Sequence, residues 1–264
     1  MATPIRIQSS QNAIVKSTIK LQRMSDCQKR GEFLVEGTHA LTEAIITGWD
    51  LSAVFMTEPW LVANAHSLDL QSKSTAQYVV TPEILGKIAT TTTPDGVVAI
   101  GRFGTKVRSE VPDFDVALAL ECVQDPGNVG TLLRTATATG AGPVFLSSDS
   151  VSAYHPKVLR ATVGQWFRNP PFSIEIDDLL SLARSRKIQI AVADASGQSF
   201  WDCDFTKPTL FVLGNEGEGI SDKARSHADS VVAIPMSLGV ESLNVATTGS
   251  LLLYETLRQR RKQS

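Results

Sequence analysis

The stretches at 116–122 (VALALEC) and 209–213 (TLFVL) carry apolar residues on both of their faces. Such a run has no side to turn to water. It folds as a strand covered above and below, which is the setting of a parallel sheet layered by helices. The neighbouring residues continue that architecture: strand patterns at 143–147, 188–192 and 230–234 are interspersed with helical ones at 128–139, 155–162, 177–185 and 242–260. The implied fold class is α/β. In an open parallel sheet, ligand sites gather at the carboxyl ends of the strands.

A smaller α/β layer precedes this one. Residues 11–24 space Ile14, Ile19, Leu21 and Met24 along one helical face, and a strand follows at 32–36. A helix over 38–47 stops at Gly48, strands are expected at 51–56 and 78–80, and Pro82 opens a helix to residue 88. A turn at 90–96 leads to a strand at 97–100, after which 101–115 (GRFGTKVRSEVPDFD) is polar and aperiodic and reads as a linker. Domains of 1–105 and 113–264 follow, each large enough to bury a core.

Composition excludes several classes. With 42% apolar and 20% charged residues, the 264-residue chain is not a disordered one. Its apolar runs fall far short of the roughly 20 residues a membrane helix needs, so no membrane partner is expected. The polar start Met1-Ala2-Thr3-Pro4 lacks a signal-peptide core, and a cytoplasmic protein is expected. Cys27, Cys122 and Cys203 form no C-x-x-C pair, and the four histidines form no H-E-x-x-H, so neither a disulfide framework nor a metal site is expected. Charge is uneven beneath a net of −2: Arg6, Lys16, Lys20, Arg23, Lys29 and Arg30 face only Asp26 at the start, and Arg258, Arg260, Arg261 and Lys262 crowd the end. Basic ends on an acidic body suit phosphate contact, and they equally suit plain solvation.

Three junctions after apolar strands concentrate glycine, asparagine and charge. The first, 125–134 (DPGNVGTLLR), places Asn128 as a helix cap and sets Arg134 on the same side as Gly127 and Gly130. The second, 213–221 (LGNEGEGIS), is spaced G-x-x-G-x-G, which is neither the G-x-G-x-x-G of a dinucleotide fold nor a phosphate-binding G-x-x-x-x-G-K-[ST]. The third, 234–246 (IPMSLGVESLNVA), ends its strand at Pro235 and puts Ser242 where a helix cap belongs, followed by small residues that allow close helix packing.

In this order and spacing, DPGNVGTLLRTATATGA, LFVLGNEGEGIS and IPMSLGVESLNVATTGSLLLYE resemble the three motifs of the SpoU (TrmH-like) branch of the SPOUT methyltransferases. The N-terminal SSQNAIVKSTIKLQRMSDCQKRGEFLVEGTHALTEAI looks like the family's L30e-like RNA-substrate-binding domain, so the resemblance spans nearly the whole chain. Ala246 and Thr162 each stand where a serine is more usual.

The resemblance implies a C-terminal parallel sheet with a deep trefoil knot and S-adenosylmethionine as cofactor. It also implies a homodimer joined through the last helix. Leu213, Gly214, Asn215, Gly217, Ile234, Pro235, Met236 and Leu243 would bind the cofactor, largely through main-chain atoms. Arg134, Asn128, Glu216, Ser242 and Asn244 would serve catalysis, with Arg134 acting within its own subunit or across the dimer. Lys16, Lys20, Lys29 and Arg30 would contact RNA. The implied activity is methylation of a ribose 2′-hydroxyl in rRNA or tRNA. A base-modifying enzyme, an RNA-binding protein of the same fold without turnover, and an ordinary nucleotide-binding dehydrogenase are the alternatives. The missing fingerprint argues against the last.

Overall fold

The structure is a computed structural model and describes residues 4–64, 75–104, 110–215 and 217–261. Two compact units are present, one of Met1–Val107 with Tyr154–Arg168 and one of Arg108–Ala153 with Asn169–Ser264.

The first unit contains β1 (Ile5–Ile7), α1 (Ala13–Ile19), α2 (Met24–Arg30), β2 (Glu32–Glu36), α3 (Thr38–Ile46), β3 (Leu51–Met56), α4 (Glu58–Asn64), β4 (Ala76–Val80), α5 (Pro82–Ile88) and β5 (Val97–Arg102). Its sheet runs β1-β4-β3-β5-β2, parallel from β1 to β3, with β5 antiparallel to both of its neighbours. Val15, Leu21, Cys27, Phe55, Ile88 and Ile100 belong to its core. The single helical face expected over 11–24 is broken. Asn12 caps α1, Lys20–Gln22 tightens into a 3-10 turn, and α2 is a separate helix closed by Gly31 at φ +65°. β1, α2 and α4 were not foreseen, and β5 runs two residues into the expected linker.

Residues 154–168, expected in the C-terminal domain, pack within this first unit. They hold α7 (Pro156–Ala161) and a turn that buries Trp166 at 4.9 Å from the Trp49 ring and 5.6 Å from that of Phe33. Trp49 Nε1 donates to Phe167 O at 3.2 Å. Large aromatic surfaces are worth more buried than any boundary drawn from local polarity.

The second unit contains β6 (Val116–Leu120), α6 (Pro126–Thr139), β7 (Val144–Leu146), β8 (Phe172–Ser173), α8 (Ile176–Ser185), β9 (Gln189–Ser199), β10 (Thr209–Leu213), α9 (Asp222–His227), β11 (Ser230–Ala233) and α10 (Val245–Arg261). Its sheet is parallel throughout, in the order β11-β9-β10-β6-β7-β8. Every residue of β6 and β10 is buried, as their two-faced apolarity requires.

Three local expectations are corrected. Asp125, not Asn128, caps α6: its Oδ1 accepts from Gly127 N (2.7 Å) and Asn128 N (3.0 Å), and Pro126 occupies the first turn. Asn244, not Ser242, caps α10, its Oδ1 accepting from Ala246 N (2.9 Å) and Thr247 N (3.3 Å). β9 does not stop at 192. β11 pairs with Ala191 and Val192 and then with Gln198 and Ser199, so 193–197 bulge out between two paired segments.

Gly249 lets α10 close on the sheet. A Cβ there would stand 2.4 Å from Leu132 Cδ2 and 2.7 Å from Leu213 Cδ1, both on buried side chains. Gly249→Val is expected to cost about 1–3 kcal/mol through overpacking, read as a lower urea midpoint.

Candidate functional site

The carboxyl ends of β9, β10 and β11 and the start of α10 enclose a cavity of about 270 Å³. Its walls come from the three places where the sheet's edge is irregular, which are the bulge of β9, the glycine turn after β10, and the segments on either side of the 237–241 loop.

The glycine turn is held by one side chain. Asn215 Oδ1 accepts from Gly217 N (2.7 Å) and Glu218 N (3.2 Å), while its Nδ2 donates to Cys122 O (2.8 Å) at the end of β6. Main-chain bonds between Asn215 and Gly219, at 3.0 and 2.9 Å, close the turn, with Gly219 at φ +73°. Gly214 is required for a different reason from ligand approach. A Cβ there would lie 2.1 Å from Gly219 O and 2.3 Å from Gly219 C, so the returning backbone occupies the space a side chain needs.

Neighbouring groups fix the floor of this turn. The buried Glu121 carboxylate accepts from Ser221 N (3.1 Å) and Ser221 Oγ (2.7 Å). Cys122, at φ +55°, donates its N–H to Ser147 Oγ (2.9 Å) and its thiol to Asp149 Oδ2 (2.7 Å). That bond to a carboxylate, aided by burial, pushes the thiol up to about 12, so it stays neutral and serves as a hydrogen-bond donor.

Of the expected cofactor residues, Leu213, Gly214, Asn215, Ile234, Met236 and Leu243 line the cavity, whereas Gly217 and Pro235 are not among its lining residues. Ser242 and Asn244 line it as well. Asn244 Nδ2 donates to Asn128 Oδ1 at 3.0 Å, which ties the first junction to the third. Arg134 is exposed on α6 and not among the lining residues, and it has no hydrogen-bond or ion-pair partner among the described residues. Glu216 lies outside the described residues.

Lys16, Lys20, Lys29 and Arg30 stand on the exposed surface of the α1–α2 region of the first unit. Arg30 is partly occupied there, by the Glu32 carboxylate and by Ser17 O at 2.6 Å.

Sequence reading missed Asp194, which lines the cavity from the bulge. The available signal was its place as the first acid after an apolar strand at the sheet's carboxyl edge. Among the described residues, no group of three or more His, Cys, Asp or Glu side chains is placed to hold a metal, and no helix is long and apolar enough to cross a membrane.

Residues 115–254 match the family model of the SpoU rRNA methylase family. The chain belongs to the SpoU rRNA methylase family. Residues 12–99 match a second model, the MRM3-like substrate binding domain. This SpoU chain is 38% identical to an uncharacterised tRNA/rRNA methyltransferase of Synechocystis, over 96% of this chain and 93% of that one. It is 29% identical to a 23S rRNA (uridine-2′-O)-methyltransferase of Streptomyces viridochromogenes, over 88% and 84% of the two chains.

Among solved structures, the SpoU methyltransferase AviRb of that organism, in complex with the cofactor AdoMet, superposes with a TM-score of 0.83 at 27% identity, covering 95% of this chain and 98% of that one. An RNA 2′-O ribose methyltransferase superposes with a TM-score of 0.84 at 26% identity, covering 97% of this chain and 100% of that one.

Gly214→Ala is expected to pry the turn open at the Asn215–Gly219 bridge. Amide exchange at Gly219 should then accelerate by about tenfold or more, while the β10 amides keep their protection.

Proposed function

We propose that the chain is an S-adenosylmethionine-dependent methyltransferase acting on a ribose 2′-hydroxyl of ribosomal RNA, the substrate class named for several of its relatives, with tRNA as the further candidate. The observation that carries this reading is the 3.0 Å bond from Asn244 to Asn128. It joins the helix bearing Arg134 to the wall of the cavity.

The cavity suits the cofactor. Leu213, Ile220, Val232 and Val245 offer an apolar wall for a nucleoside, and Ile234, Met236 and Leu243 make no main-chain hydrogen bond among the described residues. Free main-chain donors and acceptors beside apolar walls bind a nucleoside without the acidic ribose residue of a dinucleotide fold. When bound, the cofactor supplies an electrophilic methyl group on a sulfonium sulfur.

The chain's own residues would do the rest. A ribose hydroxyl becomes a good nucleophile as it loses its proton, and a guanidinium is a poor base because proteins keep it protonated. Arg134 therefore acts by charge, holding the adjoining phosphate and stabilising the negative charge that develops on the hydroxyl oxygen. Asn128 keeps the start of α6 in place through Asn244, while Ser242, Asn244 and Glu216 orient the nucleotide.

The exposed position of Arg134 is compatible with action in its own subunit or beside the cavity of a second copy. Leu251 and Tyr254, exposed on α10, and Leu238, fully exposed on the adjoining loop, support a homodimer through this face. The knot of the resembled family and a cytoplasmic location belong to the same reading. The first unit, with its basic α1–α2 surface and its match to a substrate-binding domain, would select the RNA.

Arg134→Ala is expected to lower kcat by about 10² or more with cofactor affinity nearly unchanged, and Arg134→Lys to recover part of that loss. Single-turnover transfer of tritiated methyl to rRNA, with nucleoside mapping, measures it, and a near-normal rate rules out a catalytic role for Arg134. Replacing Lys16, Lys20 and Lys29 with Glu is expected to weaken RNA binding and to flatten its salt dependence while sparing cofactor affinity, as read by filter binding across a salt series. An unchanged salt slope would sink the electrostatic reading of that surface.

A further inference from the structure

The bulge of β9 forms one wall of the cavity, and its Asp194 has no part in the reading above. Among the described residues that line the cavity, Asp194 alone has a charged side chain. Its carboxylate is fixed from two directions. Oδ1 accepts from Ser196 N (2.8 Å) and Ser196 Oγ (2.5 Å), and Oδ2 accepts from Arg225 on α9. Gly197 then presses the bulge against β11: a Cβ there would lie 2.5 Å from Val231 C and O, so this wall is set by backbone on backbone. The two bonds from Ser196, followed by the charge of Arg225, hold the Asp194 carboxyl below the usual carboxylate range, so it is ionised at neutral pH.

Two further features decide what such a group recognises. Within the ion pair, the Arg225 side chain is 40% exposed and that of Asp194 is 24% exposed, and Arg225 is not among the lining residues. The cation is therefore the better screened partner, and the pair turns its negative end to the cavity. A carboxylate also has about four acceptor positions, two on each oxygen. Ser196 fills both on Oδ1 and Arg225 takes one on Oδ2. A clamp on a ribose diol needs both oxygens free. The remaining position leaves room for a single contact, and the negative charge turned to the cavity favours a cationic group there.

We propose that Asp194 recognises the positively charged end of the methyl donor, its sulfonium or its ammonium group, rather than its nucleoside. This assignment rests on S-adenosylmethionine being the cofactor. It makes Asp194 a specificity residue that favours the charged donor, with Ser196 as its positioning residue and Arg225 as a partner that partly neutralises it.

Calorimetry on the full chain tests it with three ligands: S-adenosylmethionine, S-adenosylhomocysteine and uncharged adenosine. Asp194→Asn is expected to weaken S-adenosylmethionine binding by about tenfold or more and to leave adenosine within about twofold, the scale for losing a charged contact. Arg225→Gln frees the carboxylate from its neutralising partner, so S-adenosylmethionine should bind as tightly as before or more tightly. S-adenosylhomocysteine keeps the ammonium but lacks the sulfonium charge. If Asp194→Asn weakens it too, the ammonium is the contact; if only the donor weakens, the sulfonium is. The proposal is overturned if Asp194→Asn weakens all three ligands equally or none of them. It is overturned equally if Arg225→Gln loses the donor as Asp194→Asn does, because the pair is then only a scaffold for the wall. Wild-type protein that binds adenosine but not S-adenosylmethionine would instead refute the cofactor reading itself.

Discussion

Leu213 is the last residue of the most enclosed strand in the second unit, with β9 on one side and β6 on the other. Directly beyond it the chain must turn without leaving the sheet's edge, and Gly214 achieves this by lying against the backbone of Gly219. The cavity depends on that contact. It sets the height of the glycine turn above the sheet, lets Asn215 reach across to Cys122, and leaves Ile220 facing inward. A side chain at 214 would meet protein backbone before it met any ligand. The glycine requirement is thus one of folding first and of binding only in consequence.

Several polar side chains around the cavity serve structure and chemistry together. Asn244 caps α10 with its oxygen and holds Asn128 with its nitrogen. The bond that starts one helix therefore also fixes the beginning of another. Glu121 has no ion-pair partner among the described residues, and its carboxyl oxygens accept from the amide and hydroxyl of Ser221, the cap of α9. Through α9 the same network extends to Arg225 and the bulge of β9. Glu121, the buried member of this network, is costly unless it is satisfied, which favours one geometry of the edge over its alternatives.

The charge on the first unit is used less uniformly than a count of lysines and arginines implies. Arg6 pairs with Glu58, and Arg30 with Glu32, while Lys16, Lys20 and Lys29 stay exposed. A nucleic-acid surface draws on the last group, because a cation already neutralised by its own carboxylate releases fewer counterions on binding.

By itself the sequence determined the parallel sheet of the second unit, because VALALEC and TLFVL have no polar face to expose. It also determined the three loaded junctions, because glycine, asparagine and proline mark positions where the backbone must turn, cap or stop. Periodicity and helix-start signals carried most of the helices, but not α2, α4 or α9, short helices of six or seven residues that the sequence reading did not separate from their surroundings.

Tertiary structure alone decided the remainder. Which polar residue caps a helix depends on which oxygen reaches the free amides, so Asp125 and Asn244 took places that local spacing gave to Asn128 and Ser242. Residues 154–168 joined the first unit because Trp166 and Phe167 found Phe33 and Trp49, more than a hundred residues away in the chain. Asp194 became part of the cavity only because β11 pairs with β9 on both sides of the bulge, a register set by contacts between strands and invisible in either strand alone.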